Sequence, residues 1–404
     1  MIKVAFVLEH MLAGGVETAL LSLLELMPKD KFDITLYFIK AEGEFLYKIP
    51  PEIPVKELPL EDQVVEDVLR GINTTRALKR ALKCKQVIKA CFIVYKYYLK
   101  KDPLAKYGKE FSTFEVISQD YDVAICFHIH SQFLLRYVAR NFIAKHKIAW
   151  IHNDFTSTSY DISLFKSDLC QYDQFYCVSK KVFDEFVDIV PEFSAKASIF
   201  HNIIARDKII SLSQVEFPKE FQEDNCPILV SVGRLNLQKG FDIAIDVSKI
   251  LVENGIKHKW FILGEGEERI TLEQKIRENG LESTFILLGV KRNPYPYIKG
   301  CTIYVQPSRH EGYGIAVAEA RMLEKAIVCT DFAGAREQIV QNRTGLIVDC
   351  ESQEIYKAIK SLIENKDYRL ELENNLHQKN TNCKEIKELD DFLVLLNKFG
   401  EEES

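Results

Sequence analysis

Short apolar runs of strand length recur along the whole chain, separated by helix-length stretches, and no other feature limits the fold as much. Ile2–Leu8, Ile34–Ile39, Val123–Phe127, Ile148–Ile151, Gln174–Val178 and Ala197–Phe200 read as strands in the first half. Ile228–Val232, Lys259–Leu263, Thr284–Leu288, Thr302–Val305 and Ala326–Cys329 do so in the second. Val16–Leu26 and Gly240–Asn254 read as helices. Apolar runs without alternation belong to strands covered on both faces, the condition of a parallel sheet between helices. The pattern predicts an α/β chain with two doubly wound, Rossmann-like sheets. A chain of 404 residues can bury a core in each of two domains.

The stretch 205–226 has weak periodicity, Pro218 and a run of charges, and Pro227 follows it, which marks a linker. The expected division is 1–205, 206–380 and 381–404. The last part holds an amphipathic helix, Lys384–Phe399, placed to pack back on the first domain. No apolar run reaches the length of a membrane span. The opening MIKVAFVLEH lacks a small-residue cleavage site after it and reads as a buried first strand, not a signal peptide. Ten Cys include no CxxC pair, and Cys126, Cys177, Cys301 and Cys329 lie in apolar runs. Reduced, buried thiols in a cytoplasmic protein account for them.

The net charge of −6 argues against a whole-protein nucleic-acid binder. Residues 70–110 depart from that balance, with twelve Lys or Arg against Asp102 and Glu110. Ala77, Ala81, Cys84, Ile88, Cys91, Tyr95 and Leu99 recur there at spacings of three and four, as one helical face. Such a basic, aromatic-rich helix fits an anionic membrane surface. A helix packed on its own sheet with a solvated basic side fits equally, and the pattern leaves both open. No nucleic-acid motif accompanies the charge.

Three loops carry residues suited to chemistry. Gly14-Gly15 separates the first strand from its helix, where bare backbone and free N–H groups suit an anion, or merely a tight turn. Gly233-Arg234-Leu235-Asn236-Leu237-Gln238-Lys239-Gly240 follows the strand Ile228–Val232 and sets a guanidinium and an ammonium at a carboxyl edge, a pair suited to a diphosphate. Glu311-Gly312-Tyr313-Gly314 opens a helix on which Glu319 sits among Val317, Ala318 and Ala320. A carboxylate in such surroundings needs partners, and ribose hydroxyls would supply them. His128-Ile129-His130 reads as two His on one strand face, without a third metal ligand. Asp120-Tyr121-Asp122 reads as punctuation where a strand begins.

The Glu-x7-Glu segment with the upstream Gly-Arg-Leu-x-x-x-Lys-Gly resembles the family 4 retaining glycosyltransferases, including bacterial capsular and exopolysaccharide enzymes. Gly14-Gly15-Val16-Glu17, Trp150-Ile151-His152-Asn153-Asp154, His201-Asn202-Ile203, Gly264-Glu265-Gly266 and Gly334-x-x-Glu337 extend the resemblance. Residues 55–115 lie outside it. The resemblance implies the GT-B fold, two Rossmann-like domains facing across a cleft, with acceptor binding in the first and nucleotide-sugar binding in the second. It implies Arg234 and Lys239 on the donor diphosphate, Glu319 on the ribose and Glu311 on the donor sugar. Gly312, Tyr313 and Gly314 would present backbone N–H groups, Gly15 would approach the phosphate, His152 would stand by the sugar, and Asn293 would lie beside the base. It further implies a UDP-sugar donor, a glycan acceptor, no protein nucleophile and no metal or other cofactor; the basic 70–110 segment motivates a lipid-linked acceptor at the inner face of the membrane. A hydrolase-like nucleophilic Glu311 stays open on residue type. A non-catalytic partner subunit that binds glycan or protein is the alternative, and retention of all four donor residues speaks against it. The same Glu-x7-Glu pattern speaks against an epimerase.

Overall fold

The computed structural model describes residues 1–107, 111–158, 160–215, 217–221, 226–380 and 385–401. Among the described residues thirteen strands form two sheets. The first contains β1 (Ile2–Leu8), β2 (Phe32–Phe38), β3 (Val55–Glu57), β4 (Ile117–Cys126), β5 (Phe142–Ile151), β6 (Gln174–Cys177) and β7 (Ala197–Ile199), in the order β3-β2-β1-β4-β5-β6-β7. The second contains β8 (Ile228–Val232), β9 (Lys259–Leu263), β10 (Phe285–Leu287), β11 (Ile303–Gln306), β12 (Ile327–Thr330) and β13 (Leu346–Val348), in the order β10-β9-β8-β11-β12-β13. Every strand pair is parallel. Each sheet changes its winding direction once, between β1 and β4 and between β8 and β11, and crevices form at the carboxyl ends there.

The apolar runs mark the doubly covered part of each strand. Val4–Leu8 and Ile327–Thr330 are wholly buried. β4 and β5 begin earlier than their apolar runs, and their first halves carry exposed polar residues. Asp120-Tyr121-Asp122 therefore lies inside β4 and not before it, far from the carboxyl end. There Asp122 accepts from the Lys3 N–H at 2.8 Å and pairs with Lys145. His128 and His130 lie in the turn after β4 and not on a strand face, because the chain leaves the sheet at Cys126. The three-residue edge strands β3 and β13 are two that the run pattern did not single out.

The 70–110 segment differs most from the expected continuous face. Thr74–Lys83 is a helix, Lys85 adopts a left-handed φ of 57°, and a second helix Val87–Ile93 passes into a π-helical stretch Val94–Leu99. The left-handed residue resets the helical phase. Ala77, Ala81, Ala90 and Ile93 point inward, whereas Ile88 is 88% exposed and Leu99 72%. Cys84, Cys91 and Tyr95 are exposed too. Residues 108–110, and with them Glu110, lie outside the described residues.

Within 205–226 the chain forms a helix, Arg206–Ser213, packed on the second-lobe helices Tyr295–Gly300 and Ile315–Met322. Residues 216 and 222–225 of the expected linker fall outside the description. The helix Glu385–Glu401 lies on the first sheet: Phe392 packs on Trp150, Tyr176 and Phe200, and Phe399 stacks on His146 at 3.8 Å. Residues 381–384, including Lys384, and 402–404 are not described. One apolar cluster runs from the first sheet through the lobe interface, and a second lies on the other side of the second sheet. The four Cys expected to be buried are buried free thiols.

Candidate active site

A cavity of about 1050 Å³ lies between the lobes, lined from the carboxyl ends of β1, β8 and β9 and from the loops after β1, β8, β9 and β11. All the residues singled out from the sequence, Gly15, His152, Arg234, Lys239, Asn293, Glu311, Gly312, Tyr313, Gly314 and Glu319, line it. Its charge is mixed. Alongside Arg234 and Lys239 it carries Glu9, Glu17, Glu265 and Glu267, so a uniformly positive pocket is not what the loops build.

Gly14 precedes the helix Gly15–Leu26 and offers no side-chain cap, which leaves the first N–H groups open to the cavity. A Cβ on Gly15 would first meet Ile315 Cδ1, from the opposite lobe, at 3.8 Å. A Cβ on Gly14 would come within 3.8 Å of an Arg234 guanidinium nitrogen, so the two loops face each other across the cleft. The Arg234 side chain makes no hydrogen bond or ion pair among the described residues. Lys239 is engaged: its ammonium bonds Glu311 Oε1 at 2.5 Å. Asn236 caps the short turn that presents Lys239, accepting its backbone N–H at 3.2 Å.

Glu311 is held by a buried relay. Tyr304 OH donates to Gln306 Oε1 at 2.7 Å, Gln306 Nε2 donates to Ser308 Oγ at 2.8 Å, and Ser308 OH donates to Glu311 Oε1 at 2.8 Å. Sequence reasoning missed Gln306 and Ser308 as site residues. Polar side chains at the carboxyl end of a buried strand were the available signal. Two donors on one oxygen fix the Glu311 carboxylate in place.

Gly312 is required by close approach: a Cβ there would lie 1.8 Å from the His152 carbonyl oxygen, so the two lobes touch backbone to backbone. Gly314 adopts φ 84°, a region open to glycine, and starts the helix that carries Glu319. Tyr313 is buried, and its ring lies 5.6 Å from that of His201. His152 is buried at the end of β5, and its Nε2 has no hydrogen-bond partner among the described residues. Burial, then the neighbouring His128 and His130, hold its pKa well below the ordinary value, so the ring is neutral. Burial also pushes His130 down, to about 3. Among the described residues no group of three or more His, Cys, Asp or Glu is arranged to hold a metal ion.

Glu319 is buried beneath Tyr295, whose OH donates to Oε1 at 2.9 Å. Burial raises its pKa to about 7, against the Tyr295 bond and the field of Lys48. Asn293 lines the cavity, but its amide is committed: Nδ2 donates to the Leu212 carbonyl at 2.8 Å and Oδ1 accepts the Tyr295 N–H at 3.2 Å.

Residues 213–380 match the family described as glycosyl transferases group 1. A Campylobacter jejuni N-acetylgalactosamine-N,N'-diacetylbacillosaminyl-diphospho-undecaprenol 4-alpha-N-acetylgalactosaminyltransferase is 30% identical over 189 residues, which is 45% of this chain and 49% of that one. A Staphylococcus aureus poly(ribitol-phosphate) alpha-N-acetylglucosaminyltransferase is 24% identical over 164 residues, 40% of this chain and 31% of that one. The chain thus spans half the length or less of these relatives. The structure of Anabaena HepE in complex with UDP and glucose superposes with a TM-score of 0.70 at 16% identity, covering 98% of this chain and 100% of that one. The fold is GT-B. In GT-B terms the cavity is the cleft between the two Rossmann-like lobes.

The lobes are also joined through an ionised group. His201 donates through Nε2 to Glu337 Oε2 at 2.6 Å and through Nδ1 to Glu388 Oε1 at 2.7 Å, and its backbone N–H reaches Glu388 Oε2 at 2.6 Å. Two carboxylates demand two ring donors, which makes the ring an imidazolium. Burial opposes that charge, but the two carboxylates outweigh it and raise the pKa to about 9. Glu337 also accepts the Lys180 backbone N–H at 2.9 Å, at the start of a first-lobe helix.

Proposed function

We propose that this chain is a retaining glycosyltransferase that moves a hexose from a nucleotide sugar, a UDP-sugar, to a glycan acceptor. The observation that carries this reading is the gathering of Arg234, the Lys239–Glu311 pair, Glu319 and His152 in one cleft. The match over 213–380 includes all of these except His152, and HepE was solved with UDP and glucose in the same fold.

The donor bond that breaks joins the sugar's anomeric carbon to a phosphate oxygen, so negative charge grows on the diphosphate. The unpaired Arg234 guanidinium and the Lys239 ammonium meet that charge, where stabilisation lowers the barrier. Glu319 accepts from the ribose hydroxyls, a role its burial and single partner leave open. Neutral His152 offers Nε2 to a sugar hydroxyl. Glu311, held by Lys239 and Ser308, orients the sugar and does not attack it. Retention follows if the acceptor oxygen enters on the face the phosphate leaves: the new C–O bond forms there and the acceptor's proton passes to the departing phosphate oxygen. Charge neutralisation falls to side chains, so a chelator should leave the rate unchanged.

The acceptor in this reading is a lipid-linked oligosaccharide of cell-surface polysaccharide synthesis, met at the cytoplasmic face of the membrane. Exposed Leu82, Val87, Ile88, Val94, Tyr98 and Leu99 stand among the lysines of 79–101 and favour an anionic bilayer. No helix among the described residues is long and apolar enough to cross a membrane. The test is a thermal-shift panel of nucleotide sugars followed by product analysis. A UDP-sugar should raise the melting temperature most, and the product should keep the donor's anomeric configuration. No shift with any nucleotide sugar, or activity intact in Lys239→Ala, would sink the reading.

A further inference from the structure

The loop after β2 brings a first-lobe cation to the nucleoside end of the cleft. Residues 42–48 are tied to the glycine loop: the Met11 N–H donates to the Glu42 carbonyl at 2.8 Å, the Phe45 N–H to the Met11 carbonyl at 2.8 Å, and the Ala13 N–H to Glu44 Oε2 at 3.0 Å. A short 3-10 turn, Leu46–Lys48, follows. The Tyr47 ring then reaches the second lobe, 5.3 Å from the Arg292 guanidinium carbon. Lys48 lines the same cavity as Glu319, Tyr295 and Asn293. Its ammonium lies 3.7 Å from the Phe45 ring centroid and makes no ion pair or hydrogen bond among the described residues. A half-buried ammonium with only a ring beneath it is a costly arrangement, and a phosphate would relieve it.

We propose that Lys48 is a donor-binding residue, contributed by the acceptor lobe, that meets a phosphate of the nucleotide whose ribose Glu319 holds. This rests on the donor reading of the cleft. Burial lowers the Lys48 pKa, Lys208 lowers it further, and the field of Glu319 works the other way. Lys208 is itself paired with Glu25 at 2.6 Å. The nucleotide would then lie between Glu319 below and Lys48 above, and its binding would draw the lobes together. Nothing in residues 55–115 is needed for this.

The test is calorimetric titration of the full chain with UDP, for wild type, Lys48→Met and Lys48→Arg. Loss of one charge-assisted contact should weaken UDP about ten- to a hundred-fold in Lys48→Met. Lys48→Arg should stay within about three-fold of wild type, since the charge is kept. The unliganded Lys48→Met protein should melt at or above the wild-type temperature, which separates lost binding from lost folding. Equal UDP affinity in wild type and Lys48→Met overturns the proposal. So does an unchanged UDP affinity with a raised KM for acceptor alone, which would make Lys48 an acceptor contact. A wild type that binds none of UDP, GDP or ADP fails at the donor reading itself, before any variant is compared.

Discussion

The two sheets fill the same topological slot in opposite ways. Between the third and fourth strands of the second sheet, residues 288–302 make a short crossing that turns Tyr295 onto Glu319 and ties Asn293 to the helix Arg206–Ser213. In the first sheet, residues 58–116 fill the equivalent slot with a basic helical excursion that buries Ala77, Ala81, Ala90 and Ile93 but leaves Leu82, Val87, Ile88, Val94, Tyr98 and Leu99 exposed. A slot that serves one small, fixed ligand can be short and internally satisfied. A slot that meets a large or varied partner grows outward and leaves its apolar surface uncovered.

Donor-side changes should have the largest effects, whatever the acceptor. In the proposed reaction Lys239→Ala removes a cation placed to meet developing charge, and it should slow transfer about 10²- to 10³-fold, read as initial rates at saturating donor. A slowing that appears with one acceptor and not another would break the division between lobes.

Glu319→Gln should separate affinity from stability. The folded pKa of about 7 lies above the ordinary value of 4.5, so the folded state keeps a proton that the unfolded state has released. The resulting penalty grows as pH rises through that window and is complete above about 7. At pH 8 the glutamine variant should be more stable without ligand by about 2–3 kcal/mol, yet bind UDP about ten-fold or more weakly. Denaturant melts and UDP titrations read the two effects. A destabilised variant would contradict the burial argument.

The joint between the lobes has the opposite pH signature. His201 is raised to about 9 from 6.5, so its contribution is complete below about pH 6.5 and fades as pH passes through 9. His201→Gln should cost about 2 kcal/mol at pH 6 and nearly nothing at pH 10, measured by chemical denaturation. A gap that stays constant with pH would mean the ring is held neutral.

The smallest effect on the fold belongs to the first-lobe excursion. Ile88→Glu with Leu99→Glu should change stability by less than about 0.5 kcal/mol, because neither side chain is buried. Sedimentation with anionic vesicles should nonetheless fall. Vesicle binding that is unchanged would assign those residues another partner.

The second-lobe side of the cavity was legible because its residues answer to local rules. A cation pair follows a buried strand, and a carboxylate on an apolar helix needs partners; both are visible within ten residues. The excursion was not legible, since a repeat of three and four assumes an unbroken helix and Lys85 interrupts it with one left-handed residue. Asn293 lines the cavity, but its commitment to Leu212 depends on a helix that the linker stretch did not announce.

What the sequence determined alone was periodicity and composition: two parallel sheets, their doubly covered strands, and the loops that carry Arg234, Lys239, Glu311 and Glu319. The tertiary structure decided which groups meet across chain distances that no spacing encodes. Gly312 against the His152 backbone, Lys48 on the same cavity as Glu319, and His201 between Glu337 and Glu388 each join residues far apart in the chain. Local patterns report how a segment covers itself; contact between lobes depends on how two finished surfaces pack, and on which buried charges that packing leaves with a partner.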